Sequence, residues 1–294
     1  MAFMVGSKGL RWVGGWLLVA GLAWGQTQPA PVVPTDHYGP PVCWNARPVG
    51  PRETPEMARA EQQRGAEDAH ALLANEPFEN FDIARARLDA YADCVSGGEC
   101  YWSDLDAQYK RAEAALADEI GKAKRGEKLA LVFDIDETSL TNYCEMKREA
   151  WGYIPSMRNP WTFTGEAATA IPGALRLFRK AREAKVAVFF ITGRPGVADA
   201  GNPQPAADQT AVTATNLKAA GFEGWAGLAL RNGAENKMGT VEYKSGERKK
   251  IVDEGYRIVM SVGDQWSDLA GPAGADVSVK LPNPFYFLPS ANPK

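Results

Sequence analysis

From residue 126 onward, short apolar runs alternate with stretches of helical spacing. The runs are "KLALVFDID", "KVAVFFITG", "GLALR", "YRIVMSVGD" and "DVSVKLP"; between them lie "GALRLFRKAREA", "AVTATNLKAAGF" and "GERKKIVDEG". Strands alternating with helices predict parallel βαβ units, hence an α/β, Rossmann-like parallel sheet with helices on both faces. Upstream the texture differs. In residues 53–125, "MARAEQQRGAEDAHALLA", "FDIARARLDAYADCV" and "SDLDAQYKRAEAALADEIGKAK" place apolar residues three and four apart and predict N-terminal helices packing on the core. Asn80 and Ser103 are candidate N-caps for the second and third of these. Residues 26–52 are rich in proline and without period, an extended arm.

The run that opens the sheet contains an electrostatic contradiction. Leu131, Val132, Phe133 and Ile135 suit a buried strand, whereas Asp134 and Asp136 do not, because an unpaired buried carboxylate costs several kcal/mol. In a parallel sheet, ligands bind at the carboxyl ends of the strands. The polar residues at those ends are Asp134 and Asp136, Thr192, and Asp264, with Asp268 four residues further on. Clustered oxygen ligands suit a hard divalent cation, Mg²⁺ ahead of zinc. Lys244, in "VEYKSGERKK", supplies the ammonium that an anionic ligand beside so many acids requires, while Lys249 and Lys250 read as a solvated helix face.

Charge and cysteines narrow the setting. A formal net charge of −3 gives no support to nucleic-acid binding. Lys8 and Arg11 precede the apolar run from Trp12 to Trp24, with Ala23 and Gly25 at the −3 and −1 positions of a cleavage after Gly25. Residues 1–25 therefore read as a signal peptide and the destination as periplasmic or secreted. The rival reading, a membrane anchor, needs about 20 apolar residues, so no membrane is expected for the mature form. Removing Lys8 and Arg11 leaves 31 basic against 36 acidic residues, about −5. In an oxidising compartment Cys43, Cys94, Cys100 and Cys144 read as two disulfides. Three pairings are open; one joins Cys94 to Cys100 and leaves Cys43 for Cys144. Without a CxxC, and with only His37 and His70, zinc is disfavoured.

"DIDET", "ITGR", an isolated Lys and "GDQWSD", in that order, resemble the four motifs of the haloacid dehalogenase superfamily. "DIDETSLTN", "AIPGALRLF", "VAVFFITGR", "YKSGERKKIVDEGYRI" and "GDQWSDL" further resemble its secreted acid phosphatase branch (subfamily IIIB), which includes bacterial acid phosphatases and plant vegetative storage proteins. The likeness implies a phosphatase core over residues 126–294 with a small cap insert at about 140–170. It implies Asp134 as nucleophile through an aspartyl phosphate, Asp136 as general acid and base, and Thr192, the Gly193 amide and Lys244 on the phosphoryl group. It also implies Mg²⁺ held by Asp134, the Asp136 carbonyl, Asp264 and Asp268, a small phosphomonoester as substrate, and an oxygen leaving group rather than a halide. A non-catalytic storage protein and a phosphotransferase to acceptor alcohols are the alternatives. Within the insert, Tyr143, Trp151, Tyr153, Trp161 and Phe163 are either the cap's own core or a surface for stacking a nucleobase or aryl group, consistent with a preference for nucleoside monophosphates. Residues 195–210 read as a loop at the site rim. Oligomeric state is left open.

Overall fold

The structure is a computed structural model. It describes residues 77–94, 99–162, 164, 167–196 and 209–288, with positions 39, 41, 43, 57, 59, 60, 63, 64 and 67 upstream. The expected signal peptide, most of the proline-rich arm, His37, His70, Phe163 and residues 197–208 of the rim loop lie outside the described residues.

Five parallel strands form the central sheet: β1 (Lys128–Phe133), β4 (Ala187–Pro195), β5 (Gly227–Arg231), β6 (Tyr256–Gly263) and β7 (Val277–Lys280), in the spatial order β5-β4-β1-β6-β7. Alternation along β1 divides the core in two, since successive side chains of a strand face opposite sides. Leu129, Leu131 and Phe133 join the cluster on one face, with α2 (Tyr101–Gly121) and α5 (Pro172–Glu183); Ala130 and Val132 join Tyr243 and Ile251 of α7 (Thr240–Asp253) on the other. Phe133 and Phe190 stack at 5.9 Å, and Phe222 meets Phe190 edge-on at 5.7 Å. Each such fully buried aromatic contributes roughly 2–3 kcal/mol relative to exposure. The register of β6 against β1 slips between Ala130 and Leu131, so β6 carries one extra residue, Val259. The helix α6 (Gln209–Ala219) connects β4 to β5, whereas β6 reaches β7 through a single 3-10 turn, Trp266–Asp268.

Of the N-terminal helices, α1 (Phe81–Ala92) is capped by Asn80, whose side chain accepts the Asp82 N–H at 2.9 Å. The expected cap at Ser103 is corrected: α2 begins at Tyr101 after Cys100, so Ser103 lies inside its first turn. Tyr101, Leu105, Tyr109, Ala112 and Leu116 form the buried stripe of α2, at the three- and four-residue spacing a helix requires. Its contact with α5 is close enough that a Cβ on Gly173 would lie 2.5 Å from the Tyr109 ring, so this position admits only glycine. From there the Tyr109 hydroxyl donates to the Thr138 carbonyl at 2.7 Å, tying α2 to the loop that follows β1.

Between that loop and α5, β2 (Leu140–Thr141) and β3 (Thr169–Ala170) pair antiparallel around two short helices, α3 (Tyr143–Arg148) and α4 (Pro155–Thr162). Tyr143 and Trp151 are buried, and Trp151 stacks on Phe285 at 5.0 Å, so these two belong to the core. Tyr153 is 61% exposed.

The cysteines pair as Cys43–Cys144 and Cys94–Cys100, with none free. The first joins position 43 to α3 across a separation of 101 residues. A loop of that size yields about 4–5 kcal/mol on a chain-entropy estimate. Thiol titration of the denatured, unreduced protein is expected to find no free thiol; two or more per chain would contradict this pairing. No helix among the described residues is long and apolar enough to cross a membrane.

Candidate active site

Three strand ends and one helix build the site. Asp134 follows β1, its N–H donating to the Val262 carbonyl of β6 at 3.0 Å. Asp264 follows β6 directly, and Asp268 closes the 3-10 turn after it. Carboxylate oxygens of Asp134, Asp264 and Asp268 lie within 4.8 Å of one another, all three residues buried. Lys244 reaches them from α7, its Nζ 2.5 Å from Asp134 Oδ1 and 2.5 Å from Asp268 Oδ1. Gly263 makes room: a Cβ there would stand 2.2 Å from the Asp268 Cβ.

Burial and mutual repulsion push the acids up, Asp134 well above the usual carboxylate range and Asp264 to about 6. Burial alone would depress Lys244, but Asp134 and Asp268 outweigh it and hold the ammonium charged. With all three acids ionised, three carboxylates against one ammonium leave two negative charges in excess. The donor set is all oxygen, it is buried, and one divalent cation would balance it; the residues fit such an ion, and Mg²⁺ belongs to that class.

Asp264 is oriented by three side chains. Thr138 Oγ1 donates to Oδ1 at 3.2 Å, and Gln265 Nε2 and Asn283 Nδ2 donate to Oδ2 at 2.7 and 2.5 Å. The Gln265 N–H donates to Asp268 Oδ2 at 2.8 Å. Arg248, buried one helical turn beyond Lys244, donates to the carbonyls of Asp268, Ala270 and Ala273 and so pins the loop that carries Asp268. By contrast, Lys249 and Lys250 are solvated and paired with Asp253 and Glu247.

Asp136 stands apart from that cluster. It pairs with Arg194 of β4 through two bonds, Nε to Oδ2 at 2.9 Å and Nη2 to Oδ1 at 2.6 Å, and accepts from Asn142 Nδ2 at 2.8 Å. Burial disfavours its charge, yet Arg194 and Asn142 more than offset this and hold the carboxyl below its usual range. Thr192 is buried at the end of β4, its hydroxyl accepting the Arg194 N–H at 3.2 Å. Gly193 is exposed, and a Cβ there would meet nothing within 4 Å, so the approach to its backbone is open. The pairing of Phe133 with Phe190 sets these β4 residues alongside Asp134.

The structure thus gathers the carboxylates of Asp134, Asp264 and Asp268 within 4.8 Å of one another and sets Lys244 in contact with Asp134 and Asp268, with Asp136, Thr192 and Gly193 on the β4 side. Sequence reasoning did not single out Arg194, Asn142, Glu137, Thr138, Asn283, Tyr286 or Arg248. For Arg248 a signal existed, since it lies four residues from Lys244 on the same helix face.

The family model described as HAD superfamily, subfamily IIIB (acid phosphatase) matches residues 56–289. Acid phosphatase 1 of Solanum lycopersicum is 32% identical over 189 residues, covering 61% of this chain and 69% of that protein. Vegetative storage protein 1 of Arabidopsis thaliana is 31% identical over 217 residues, covering 72% and 74%. The stem 28 kDa glycoprotein of Glycine max is 34% identical over 162 residues, and there the match spans only 59% of the relative's length. Among solved structures, the class C acid phosphatase of Bacillus anthracis with tungstate bound superposes with a TM-score of 0.51 at 21% identity, over 69% of this chain and 85% of that one.

Proposed function

The chain belongs to subfamily IIIB of the HAD superfamily, the acid phosphatases, and from that premise we propose that it is an exported, Mg²⁺-dependent phosphomonoesterase acting through an aspartyl phosphate. The observation that carries the reading is the contact of Lys244 with both Asp134 and Asp268 inside a buried triad of acids. An ammonium so placed can neutralise phosphoryl oxygens, and it orients Asp134 and favours its ionised form against the effect of burial.

In the first half-reaction an Asp134 oxygen forms a bond to phosphorus. The bond from phosphorus to the leaving oxygen breaks, its electron pair goes to that oxygen, and Asp136 supplies the proton, which it must carry against the pull of Arg194 and Asn142. In the second, water forms a bond to phosphorus and gives a proton back to Asp136. The bond to Asp134 then breaks and its electron pair returns to the carboxylate. Thr192 accepts the Arg194 N–H, which leaves its own hydroxyl hydrogen as a donor to the phosphoryl group beside the Gly193 amide. Mg²⁺, held by Asp134, Asp264, Asp268 and the Asp136 carbonyl, would neutralise charge on the transferring group. Preorganised charge of this kind is the largest part of phosphoryl-transfer catalysis.

Two disulfides in one chain accord with an oxidising compartment. Tyr153, exposed beside Arg158 at 5.7 Å, is among the described aromatics of the insert the one best placed for an aryl or nucleobase group. A storage role, suggested by the vegetative storage relatives, is the second reading; retention of Asp134 favours catalysis. Inorganic phosphate release from a panel of nucleotides, sugar phosphates and aryl phosphates decides between them. Turnover of several classes is expected, fastest for aryl and nucleoside monophosphates. A purified, Mg²⁺-loaded protein inert to the whole panel would refute the enzymatic reading.

A further inference from the structure

Asp136 is gripped from two directions. On one side is Arg194, with a side chain 5% exposed against 26% for Asp136. On the other is Asn142, itself fixed by Glu137: the Asn142 N–H donates to Glu137 Oε1 at 2.6 Å and Nδ2 reaches Oε2 at 3.2 Å. Glu137 is fully buried with a φ of 52°, a backbone state rare for a residue with a Cβ, and accepts the Tyr286 hydroxyl at 2.9 Å. A continuous series of hydrogen bonds therefore runs from the C-terminal segment, through Glu137 and Asn142, to the carboxyl of Asp136 and on to β4. Arg194 Nη1 has no hydrogen-bond partner among the described residues, and Nε and Nη2 both donate to Asp136.

The distribution of these bonds is unequal. Oδ1 accepts two, from Arg194 Nη2 and Asn142 Nδ2, which fills both of its lone-pair directions; Oδ2 accepts one, from Arg194 Nε. Among the described residues, only Oδ2 is left a direction in which to carry a proton.

We propose that Arg194 and Asn142 are positioning residues that fix the Asp136 carboxyl and select Oδ2 as the oxygen that hands a proton to the leaving group. This rests on the acid role assigned to Asp136 above. Proton transfer needs a heavy-atom separation of about 2.6–3.2 Å, and a carboxyl free to rotate would meet that condition only part of the time.

The test is a leaving-group comparison. p-Nitrophenolate departs without a proton, whereas an alkoxide does not. kcat/KM covers the steps up to departure of the leaving group, so it senses the acid whichever later step limits kcat. Arg194→Lys keeps the charge but not the fork, and Asn142→Ala removes the second grip; either variant alone is decisive if the other does not fold. Each is expected to lower kcat/KM for glycerol 2-phosphate about a hundredfold, and for p-nitrophenyl phosphate less than about fivefold, with the inhibition constant of inorganic phosphate unchanged. Equal losses on both substrates would overturn the proposal, as would weakened phosphate inhibition, which would make Arg194 a phosphate ligand. Asp136→Asn serves as the control. If it spares the alkyl ester as well as the aryl ester, the acid assignment itself fails; if it selects against the alkyl ester while the two variants do not, only the positioning proposal fails.

Discussion

Asp134→Asn is expected to reduce turnover of p-nitrophenyl phosphate by at least about 10⁴-fold, the scale seen when a nucleophile is removed from a preorganised site. The amide keeps the size of the carboxyl but cannot form the phosphoryl ester. Folding should survive. Asp134 is one of three buried acids around one ammonium, and Lys244 keeps Asp268 as a partner. Neutralising one member relieves repulsion that burial makes expensive, so in EDTA the variant should melt no earlier than the parent protein. Loss of activity with an unchanged or raised Tm would therefore isolate chemistry from stability. Residual activity within tenfold of the parent would remove Asp134 from the nucleophilic role.

Removal of the divalent ion should have a comparable effect. Dialysis against EDTA is expected to abolish turnover and Mg²⁺ to restore it. The physical reason is that fully ionising the cluster leaves two negative charges in excess, a state so disfavoured without a cation that burial and Asp268 push Asp264 up to about 6. A cation bound to the folded chain alone also stabilises it, by about 2.7 kcal/mol at a concentration one hundred times Kd. Mg²⁺ should thus raise Tm by several degrees, an effect independent of any substrate. Asp264→Asn should abolish most of that rise while leaving the sheet intact, since Asp264 lies beyond the last residue of β6. Activity indifferent to chelation, together with a Tm that Mg²⁺ does not move, would eliminate the metal.

Much of the architecture could be read from the order of strands and helices, because parallel sheets demand that order and leave apolar runs behind. Asp134, Thr192 and Asp264 were legible for the same reason: each is the first polar residue past a buried run. Their partners were not. Glu137 lies in the turn after β1 and Asn142 between β2 and α3, neither with a period to read, and Tyr286 and Asn283 lie beyond the last strand. What makes them matter is an approach across 149 residues between Tyr286 and Glu137, and 19 between Asn283 and Asp264. Arg194 stood inside a recognised motif but drew attention only to its neighbours, Thr192 and Gly193. Composition cannot assign it to Asp136, since that needs the registered pairing of β1 with β4. The aromatic residues of the insert divide on the same principle. Tyr143 and Trp151 are core because Trp102 and Phe285 come to meet them, and nothing local distinguishes them from Tyr153.

The nested pairing of the cysteines bears on how the chain must be made. Synthesis proceeds from the N-terminus, so Cys43, Cys94 and Cys100 emerge before Cys144, whereas the native bridges enclose one pair within the other. An oxidant that joins thiols in order of appearance would couple 43 to 94 and strand 100 with 144. Escape from that product requires thiolate exchange through a mixed disulfide, which takes minutes to hours uncatalysed. A host with a disulfide isomerase should therefore yield far more correctly bridged protein than one that supplies oxidising power alone.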